Sequence, residues 1–443
     1  MKFPKLIFRK SIPVIGTDKQ GIGRVPIHVA RELIKTNHAE ILHNHPSVIG
    51  LRHIGNRIAS PNRVISTSPL KNLVTTASLF VAKNSRIPAL NSIMLQITNN
   101  RLYVSATNLD AFFKGCLESD NRHAFSHDKD VSGICINAVQ IKKILLCTDE
   151  TTTTHIKGGD TPSLQIGTFF VEGFSPKEFP WVQFKEGNKT MSFTVTNIAE
   201  KLNFVGNAIS ANKYRSSLCG IYFDIARRQL AGADGNRLHT VPMNESGKTQ
   251  SDKHAVEGVI VPASVLKVAR LLTGVGRIIA GSDAGQGTYQ YVNFALSVPG
   301  CGDCTATFRT VDGQFPKYED VIPKEYASRF TTRTQDLLPV LNKALIANTT
   351  DSDSKPILAE FKNGQMIITV NVRGRVTYRG VVQGQYSGVP YRSVVNDIFL
   401  LDAIQTIPGD SIEIMLQSKN DEAWKIRNSS GYTAIIMPIE LES

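Results

Sequence analysis

The chain has 443 residues, a formal net charge of +12, and 41% hydrophobic and 20% charged residues, a composition typical of globular rather than disordered proteins. No apolar run approaches the roughly 20 residues that span a bilayer, and the first residues lack the continuous apolar segment of a secretory signal. Six cysteines without a regular spacing favour a reducing compartment. The length allows about three domains, and the positive charge indicates nucleic acid as a partner.

The first part of the chain, residues 1–66, carries most of the positive charge. It has eleven Lys and Arg against three Asp and Glu, a surplus of +8, whereas the other 377 residues carry +4. We predict a small basic N-terminal module, with a strand at Ile12–Ile15, a turn at Gly21–Gly23 and a helix at Pro26–Ile34. Residues 55–69, rich in Gly, Asn, Ser and Pro, are predicted to be a linker.

This module also contains five of the ten histidines. His43 and His45 are close enough in sequence to hold a metal ion, but no cluster of cysteines or carboxylates completes a ligand set. We therefore predict no metal site here. The basic, serine-containing and acid-poor composition also has some similarity to a transit peptide.

From Leu70 onwards, one α/β unit occurs three times. In each copy a helix is followed by a hairpin, a strand that leads into a second helix, and further strands. The predicted first helices are Leu70–Lys83, Ile198–Ala211 and Asp336–Ala347, and the second helices are Ala138–Leu146, Ala263–Leu272 and Val395–Ile404. Leu102, Leu230 and Met366, which follow the hairpin turns, stand 128 and 136 residues apart. This spacing predicts three tandem units at residues 67–186, 187–316 and 317–443.

Basic residues outnumber acidic residues on the predicted helices. A helical surface of this kind binds phosphates without regard to base sequence, although the same pattern also occurs on helix faces that simply contact solvent. Both interpretations stay open at this point. The predicted strand at Ile221–Ile225 and its partner around Leu230 lead into the stretch Gly232–His239, where Asp234-Gly235 predicts a tight bend.

Four short motifs occur in order along the three units. They are Ile87-Pro88-Ala89-Leu90 through Leu95-Gln96, Ala233-Asp234-Gly235-Asn236-Arg237-Leu238, Phe315-Pro316-Lys317-Tyr318 through Val321-Ile322-Pro323, and Ile435-Ile436-Met437-Pro438-Ile439. From about Leu70 to its end, the chain resembles the bacterial β sliding clamp, the β subunit of DNA polymerase III, and is diverged from it. Ala233 and Asn236 stand where that family has Thr and His, and Asp320 stands at a basic position.

The resemblance implies an α+β fold of three tandem DNA-clamp domains, with helices lining a central hole and antiparallel sheets outside. Two chains would join head to tail around double-stranded DNA. The implied function is that of a processivity factor without catalytic activity or cofactor, which tethers a DNA polymerase catalytic subunit and other replication proteins and is loaded by an ATP-dependent clamp loader. The implied location is the cytoplasm of a bacterial cell, with a phage or other mobile element as a conceivable source.

The resemblance also assigns residues to three sites. The expected DNA contacts are Lys83, Arg86, Lys142, Lys143, Lys213, Arg215, Lys267 and Arg270. The expected pocket for a polymerase peptide, between units two and three, is formed by Leu218, Gly235, Asn236, Arg237, Leu238, Pro316, Asp320, Val321, Ile435, Met437, Pro438 and Ile439, with Arg237 as the polar contributor. The expected dimer interface is formed by Phe169 and Phe170 of one chain with Leu345 and Ile346 of the other.

Two alternatives remain from the residues themselves. The first is a clamp-like adaptor that does not encircle DNA. The second is a metal or redox protein that uses Cys301 and Cys304, although zinc usually needs two such pairs and a redox pair usually begins a helix. No Gly-rich phosphate loop and no catalytic motif around a nucleophile occurs in the sequence, so we predict no enzymatic activity.

Overall fold

The computed structural model describes residues 5–7, 22–24, 39–45, 48–53, 64–98, 101–117, 126–127, 133–148, 151–157, 161–181, 190–244, 258–280, 289–349 and 355–439. Within these ranges the chain forms a small N-terminal sheet and three units of the same element order. None of the described helices is both long enough and apolar enough to cross a membrane.

Four strands of the N-terminal module pair in the order β2-β1-β4-β3. They are β1 (Lys5–Ile7), β2 (Ile22–Arg24), β3 (Ala39–His45) and β4 (Val48–His53). The predicted turn at Gly21–Gly23 is therefore wrong at its last two residues, which lie in β2 and pair with β1. The predicted strand Ile12–Ile15 and helix Pro26–Ile34 lie outside the described residues.

The linker predicted at residues 55–69 is wrong at residues 64–69, which belong to unit one. These residues form a strand and the start of a helix, and this strand pairs with a later strand of the same unit, Thr151–Lys157. The elements are β5 (Val64–Ser66), α1 (Thr67–Ala77), β6 (Ser92–Thr98), β7 (Arg101–Thr107), β8 (Ala111–Leu117), β9 (Ser126–His127), β10 (Gly133–Asn137), α2 (Ala138–Cys147), β11 (Thr151–Lys157), β12 (Ser163–Ile166) and β13 (Phe169–Glu172).

Unit two repeats this order with two differences among the described residues: no strand lies between the third strand after its first helix and the strand before its second helix, and that second helix is a 3-10 helix. Its elements are β14 (Thr190–Thr194), α3 (Ile198–Gly206), β15 (Gly220–Asp224), β16 (Gln229–Ala233), β17 (Arg237–Pro242), β18 (Gly258–Pro262), a 3-10 helix (Ala263–Leu271), β19 (Leu272–Ala280), β20 (Tyr289–Leu296) and β21 (Cys304–Arg309). The predicted α-helix Ala263–Leu272 is a 3-10 helix, in which Val265 and Val268 are buried three residues apart, the repeat of that helix type.

Unit three closes the described part of the chain. Its elements are β22 (Ser328–Arg333), α4 (Thr334–Ala347), β23 (Pro356–Lys362), β24 (Gln365–Val372), β25 (Arg375–Gln383), β26 (Gln385–Ser387), β27 (Tyr391–Asn396), α5 (Asp397–Thr406), β28 (Ser411–Leu416), β29 (Trp424–Arg427) and β30 (Thr433–Ile436). Leu102, Leu230 and Met366, the residues that revealed the repeat, are all fully buried in equivalent strands. The predicted fold of three α+β units is confirmed.

Two helices of the structure are shorter than the spacing of their apolar residues predicted. Helix α1 ends at Ala77 rather than Lys83, because the N–H groups of Leu79 and Phe80 donate to carbonyls three residues back and Phe80 turns into the core. Helix α3 ends at Gly206 rather than Ala211, with the N–H groups of Ala208 and Ile209 making the same tighter bonds. Lys83, Arg86, Lys213 and Arg215 consequently lie on loops after these helices.

The units join by the same pairing each time, between the last strand of one unit and the third strand after the first helix of another. That strand is β8 in unit one, β17 in unit two and β25 in unit three, and is named the third strand of its unit. The third strand of unit one, β8, pairs antiparallel with the last strand of unit two, β21, and completes an eight-stranded sheet. The third strand of unit two, β17, pairs antiparallel with the last strand of unit three, β30, in a nine-stranded sheet. At the two ends of this series, β13 is the edge of a five-stranded sheet and β25 the edge of a four-stranded sheet.

Candidate functional site at the junction of units two and three

The turn at residues 234–237 is fixed by a local hydrogen-bond pattern. The N–H groups of Asn236 and Arg237 donate to Oδ1 of Asp234 at 2.9 and 3.0 Å. Gly235 has φ of +100°, and a Cβ added to it would lie 2.6 Å from Nη1 of Arg215. Glycine is therefore favoured by the backbone conformation, and the guanidinium of Arg215 lies close to it.

Beside this turn lies a cavity of 180 Å³ between units two and three. Its walls are mainly apolar side chains of the turn, of the segment after β21 and of the strand end after β30. Of the predicted pocket residues, it brings together Leu218, Gly235, Asn236, Arg237, Leu238, Pro316, Val321, Ile435 and Met437. It also includes Ala233, Phe315, Lys317 and Tyr318, which the sequence analysis did not assign to the pocket although they belong to two of its motifs.

Three residues predicted for this pocket do not line the cavity. Asp320 lies at a neighbouring cavity on the other side of the segment Phe315–Tyr318. Pro438 and Ile439 continue past the cavity, and the N–H of Ile439 donates to the carbonyl of Val394 at 2.8 Å. The preceding N–H, that of Met437, donates to the carbonyl of Asn236 at 2.9 Å, which positions Met437 at the cavity wall.

Arg237, the predicted polar contributor, lines the cavity and also makes contacts across the junction. Its Nε lies 3.0 Å from Oδ2 of Asp234, its Nη1 lies 2.7 Å from Oδ2 of Asp402 in helix α5, and its guanidinium stacks 4.3 Å from the ring centre of Phe399. Its side chain is only 10% exposed. These contacts hold Nε and Nη1 in place, so Arg237 connects unit two to unit three. Its use as the polar contributor to a ligand stays a prediction.

The same junction buries His239 two residues further along β17. Its Nδ1 lies 2.7 Å from the carbonyl oxygen of Phe204, and its ring stacks on that of Phe204 at 4.6 Å. Burial lowers the pKa of His239 to about 4, because the charged imidazolium would lose its hydration. His239 is therefore neutral in the folded protein, with Nδ1 as the donor.

The second cavity, of 390 Å³, has a polar lining. At its back the buried carboxylate of Asp224 accepts hydrogen bonds from the hydroxyl of Tyr318 at 2.9 Å and from the N–H of Arg227 at 2.8 Å. The guanidinium of Arg227 makes ion pairs with both Asp224 and Glu319. Burial, followed by the hydrogen bond to Asp224, raises the pKa of Tyr318, so its proton stays in place at physiological pH.

The predicted dimer residues lie on the edge strand β13 and on helix α4, which packs next to the edge strand β25. Phe169 and Phe170, on β13, are 38% and 63% exposed, and Ile346, on α4 next to β25, is 79% exposed. Leu345 is half-buried against the core. Val376 and Val381, which the sequence analysis did not single out, are exposed on β25 itself. Apolar side chains thus cluster at both ends of the series of units.

Most of the predicted DNA contacts are exposed side chains on helices or on the loops that follow them. Only Lys142 among them is half-buried. Lys142 and Lys143 lie on α2, and Lys267 and Arg270 on the 3-10 helix. Arg215 differs from the others because its guanidinium lies against the turn beside the apolar cavity.

The cysteines at the junction of units one and two are poorly suited to the alternative metal or redox function. Cys304 is buried and Cys301 half-buried. Burial raises their thiol pKa values to about 11 and about 12, whereas reactive cysteines have lowered pKa values. Among the described residues, no group of three or more His, Cys, Asp or Glu side chains is arranged to hold a metal ion.

Comparison with known proteins gives a consistent set of relatives. No family model matches the chain. The "Beta sliding clamp" of Pseudomonas putida is 23% identical over 382 residues, which cover 84% of this chain and 97% of that protein. The "Beta sliding clamp" of Synechococcus elongatus is 23% identical over 288 residues, covering 64% of this chain and 74% of the relative.

Solved structures give the same result for the fold. The DNA polymerase III subunit beta of Pseudomonas aeruginosa superposes with a TM-score of 0.71 at 20% identity, covering 86% of this chain and 99% of that one. The beta subunit of Thermotoga maritima superposes with a TM-score of 0.70, also at 20% identity, with the same coverage. The predicted resemblance to a diverged β sliding clamp is confirmed, and with it the main functional interpretation of the sequence.

Proposed function

We propose that this chain, a diverged β sliding clamp by sequence resemblance and by fold, forms a closed ring of two copies around duplex DNA and holds a DNA polymerase at the apolar cavity. It would act in the cytoplasm of a bacterial cell, without a catalytic step of its own, and would need an ATP-dependent partner to open the ring. The observation that carries the proposal is the repeated pairing rule between units.

The pairing seen between units inside the chain can be extended to the two free edge strands, β13 and β25. Inside the chain, the third strand of one unit pairs with the last strand of the next, as β8 does with β21 and β17 with β30. The third strand of unit three is β25 and the last strand of unit one is β13, and both are edges. Pairing β25 with β13 of a second copy repeats the internal joins, and two such contacts close a ring of six units.

The side chains at these edges suit that contact. Exposed long edge strands with apolar side chains are rare in monomers because they invite pairing with other chains. Phe169 and Phe170 would meet the patch formed by Ile346 with Val376 and Val381. The exposed Arg375 and Arg379 of β25 would face Glu172 of β13, which adds charge complementarity and favours the head-to-tail orientation.

DNA would be held by exposed cations of the helices and adjoining loops. Lys83, Arg86, Lys143, Lys267 and Arg270 are exposed, and flexible basic side chains of this kind contact phosphates rather than base edges. Binding would therefore lack sequence preference and weaken with salt, and long retention would depend on ring closure. Arg215 is better assigned to the cavity beside Gly235 than to DNA.

The cavity between units two and three suits a short peptide. It combines a mainly apolar lining with few polar groups, as small-ligand and peptide sites do. Met437 contributes an unbranched side chain that can repack around different partners. The polar groups available to a peptide are the backbone of the turn, Asn236, Lys317 and Arg237, whose guanidinium is held in position by Asp234 and Asp402.

The mass of the purified chain in solution tests the proposal directly. Light scattering at micromolar concentration should give twice the chain mass of 48.6 kDa. A monomer at all concentrations would contradict ring formation and would favour the adaptor alternative. A higher, concentration-dependent series of masses would show that the edges pair without closing.

A further inference from the structure

The two cavities of unit two lie on either side of one short segment. Phe315, Pro316, Lys317 and Tyr318 line both the apolar cavity and the polar cavity. The segment is held in place by its aromatic rings, because Phe315 stacks on Tyr222 with ring centres 4.8 Å apart and Tyr318 meets both rings edge-on. A ligand anchored in the apolar cavity therefore has a fixed ridge beside it and a second depression beyond.

The polar cavity is acidic in a chain that is basic overall. Its charged lining is three carboxylates against two cations. Asp224 and Glu319 are engaged by Arg227, and Asp224 also by Tyr318. Asp320 is exposed, and within the described part of the chain its carboxylate has no ion pair or hydrogen bond.

A cation lies at the turn beside the apolar cavity, where the guanidinium of Arg215 is close to Gly235. A carboxylate, that of Asp320, lines the depression beyond the ridge. Lys317 lies on the ridge, is exposed, and makes no ion pair with Asp320 among the described residues.

We propose that Asp320 is a specificity-determining residue, which selects partner peptides that carry a Lys or Arg side chain a short distance from their apolar anchor. The inference rests on the proposed peptide site and adds the chemistry of the occupant. Two extended residues span about 7 Å, enough to cross a ridge one chain wide. A basic side chain placed there pairs with Asp320, and an acidic one is repelled by the cavity as a whole.

Fluorescent peptides and the full chain test this inference. All the peptides carry the same two leucines as the anchor. In one series Lys, Gln or Glu stands two residues before the leucines, and in a second series two residues after them. In one of the two series, the Lys peptide should bind about two- to fivefold more tightly than the Gln peptide, and the Glu peptide more weakly than the Gln peptide, as expected for one solvated ion pair. The difference should shrink at high salt.

Variants separate this inference from the peptide site itself. Asp320→Asn should make Lys and Gln peptides bind equally, whereas Asp110→Asn, which changes an exposed carboxylate in unit one, should leave the preference intact. Val321→Asp places a charge in the apolar wall and should abolish binding of all the peptides. If Val321→Asp abolishes binding but the unmodified chain binds the Lys, Gln and Glu peptides equally, the inference about Asp320 is wrong while the peptide site stands. Binding unaffected by Val321→Asp, or absent for every peptide, would overturn the peptide site as well.

Discussion

The joins inside the chain and the edges at its ends are made from equivalent strands but present different surfaces. At the join of units two and three, β17 and β30 bury Leu238, Ile435 and His239, and Arg237 is held by carboxylates from both units. At the ends, β13 and β25 expose phenylalanine and valine side chains. In the proposed ring, the two free edges would make with a second copy the contact that the chain makes twice within itself.

The largest expected effect comes from placing a charge at a free edge. Ile346→Asp would bury an unpaired carboxylate in the contact between copies, which should cost about 4 kcal/mol or more and raise the dimer Kd roughly a thousandfold. Sedimentation or light scattering should then show monomers. Ile87→Asp, which changes another exposed isoleucine in unit one, is the control and should remain dimeric. A dimer that survives Ile346→Asp would place the contact elsewhere.

A smaller effect is expected from breaking an internal join. Arg237→Ala removes the cation between Asp234 and Asp402 and should lower the free energy of unfolding by about 3 kcal/mol, because it leaves two largely buried carboxylates unpaired. Arg333→Ala is the matched control. Arg333 also pairs with a carboxylate at 2.7 Å, that of Asp336, but its side chain is 63% exposed, so the cost should stay below about 1 kcal/mol. Equal losses in denaturant unfolding would show that burial does not distinguish the two pairs.

The pH dependence of the unfolding free energy tests whether His239 is kept neutral at the same join. The folded protein keeps His239 neutral down to about pH 4, whereas the unfolded chain takes up a proton near the ordinary pKa of 6.5, so acidification below that pH favours unfolding. Between pH 7 and pH 5 this contributes about 2 kcal/mol of lost stability. In His239→Leu that part of the loss should disappear. An unchanged pH dependence in the variant would mean that His239 is not held neutral.

The smallest expected effect is on DNA affinity, and it comes from a substitution that changes neither the joins between units nor the free edges. Lys267→Ala should weaken DNA binding equally for all sequences and reduce the slope of log affinity against log salt by about one. Lys362→Ala, on the β23–β24 hairpin of unit three, serves as the control, since its exposed side chain lies on a sheet rather than on a helix. If both variants change the slope alike, binding is spread over the whole surface.

The sequence predicted a strand with an alternating pattern closely, since the strand expected at Ile221–Ile225 is β15, Gly220–Asp224. It predicted none of the third strands, β8, β17 and β25. Six of the seven residues of β8 are buried, and most of those of β25 are exposed, so neither shows the alternation that identifies a half-buried strand. Sequence reasoning therefore missed the strands at the joins, β8 and β17, whose burial depends on another unit, and the free edge strand β25.

The candidate site shows the same limit. Most residues of the predicted pocket lie at one cavity, because the motifs that contain them are short and depend on adjacent residues. Asp402, which pairs with Arg237, lies 165 residues away, so no local pattern indicates this ion pair. Asp320 was recognised as a departure in charge, but only the cavity on its side of the ridge indicates what that charge would contact.

Retention on circular compared with linear DNA tests the central claim most directly, namely that two copies close around the duplex. Protein loaded onto a nicked circular plasmid, with a clamp loader and ATP supplied, should stay bound through gel filtration in high salt. Cutting the plasmid once should release it, because the ring can then slide off an end. Equal retention on the circular and the cut DNA, or equal loss from both, would show that the protein binds DNA without encircling it.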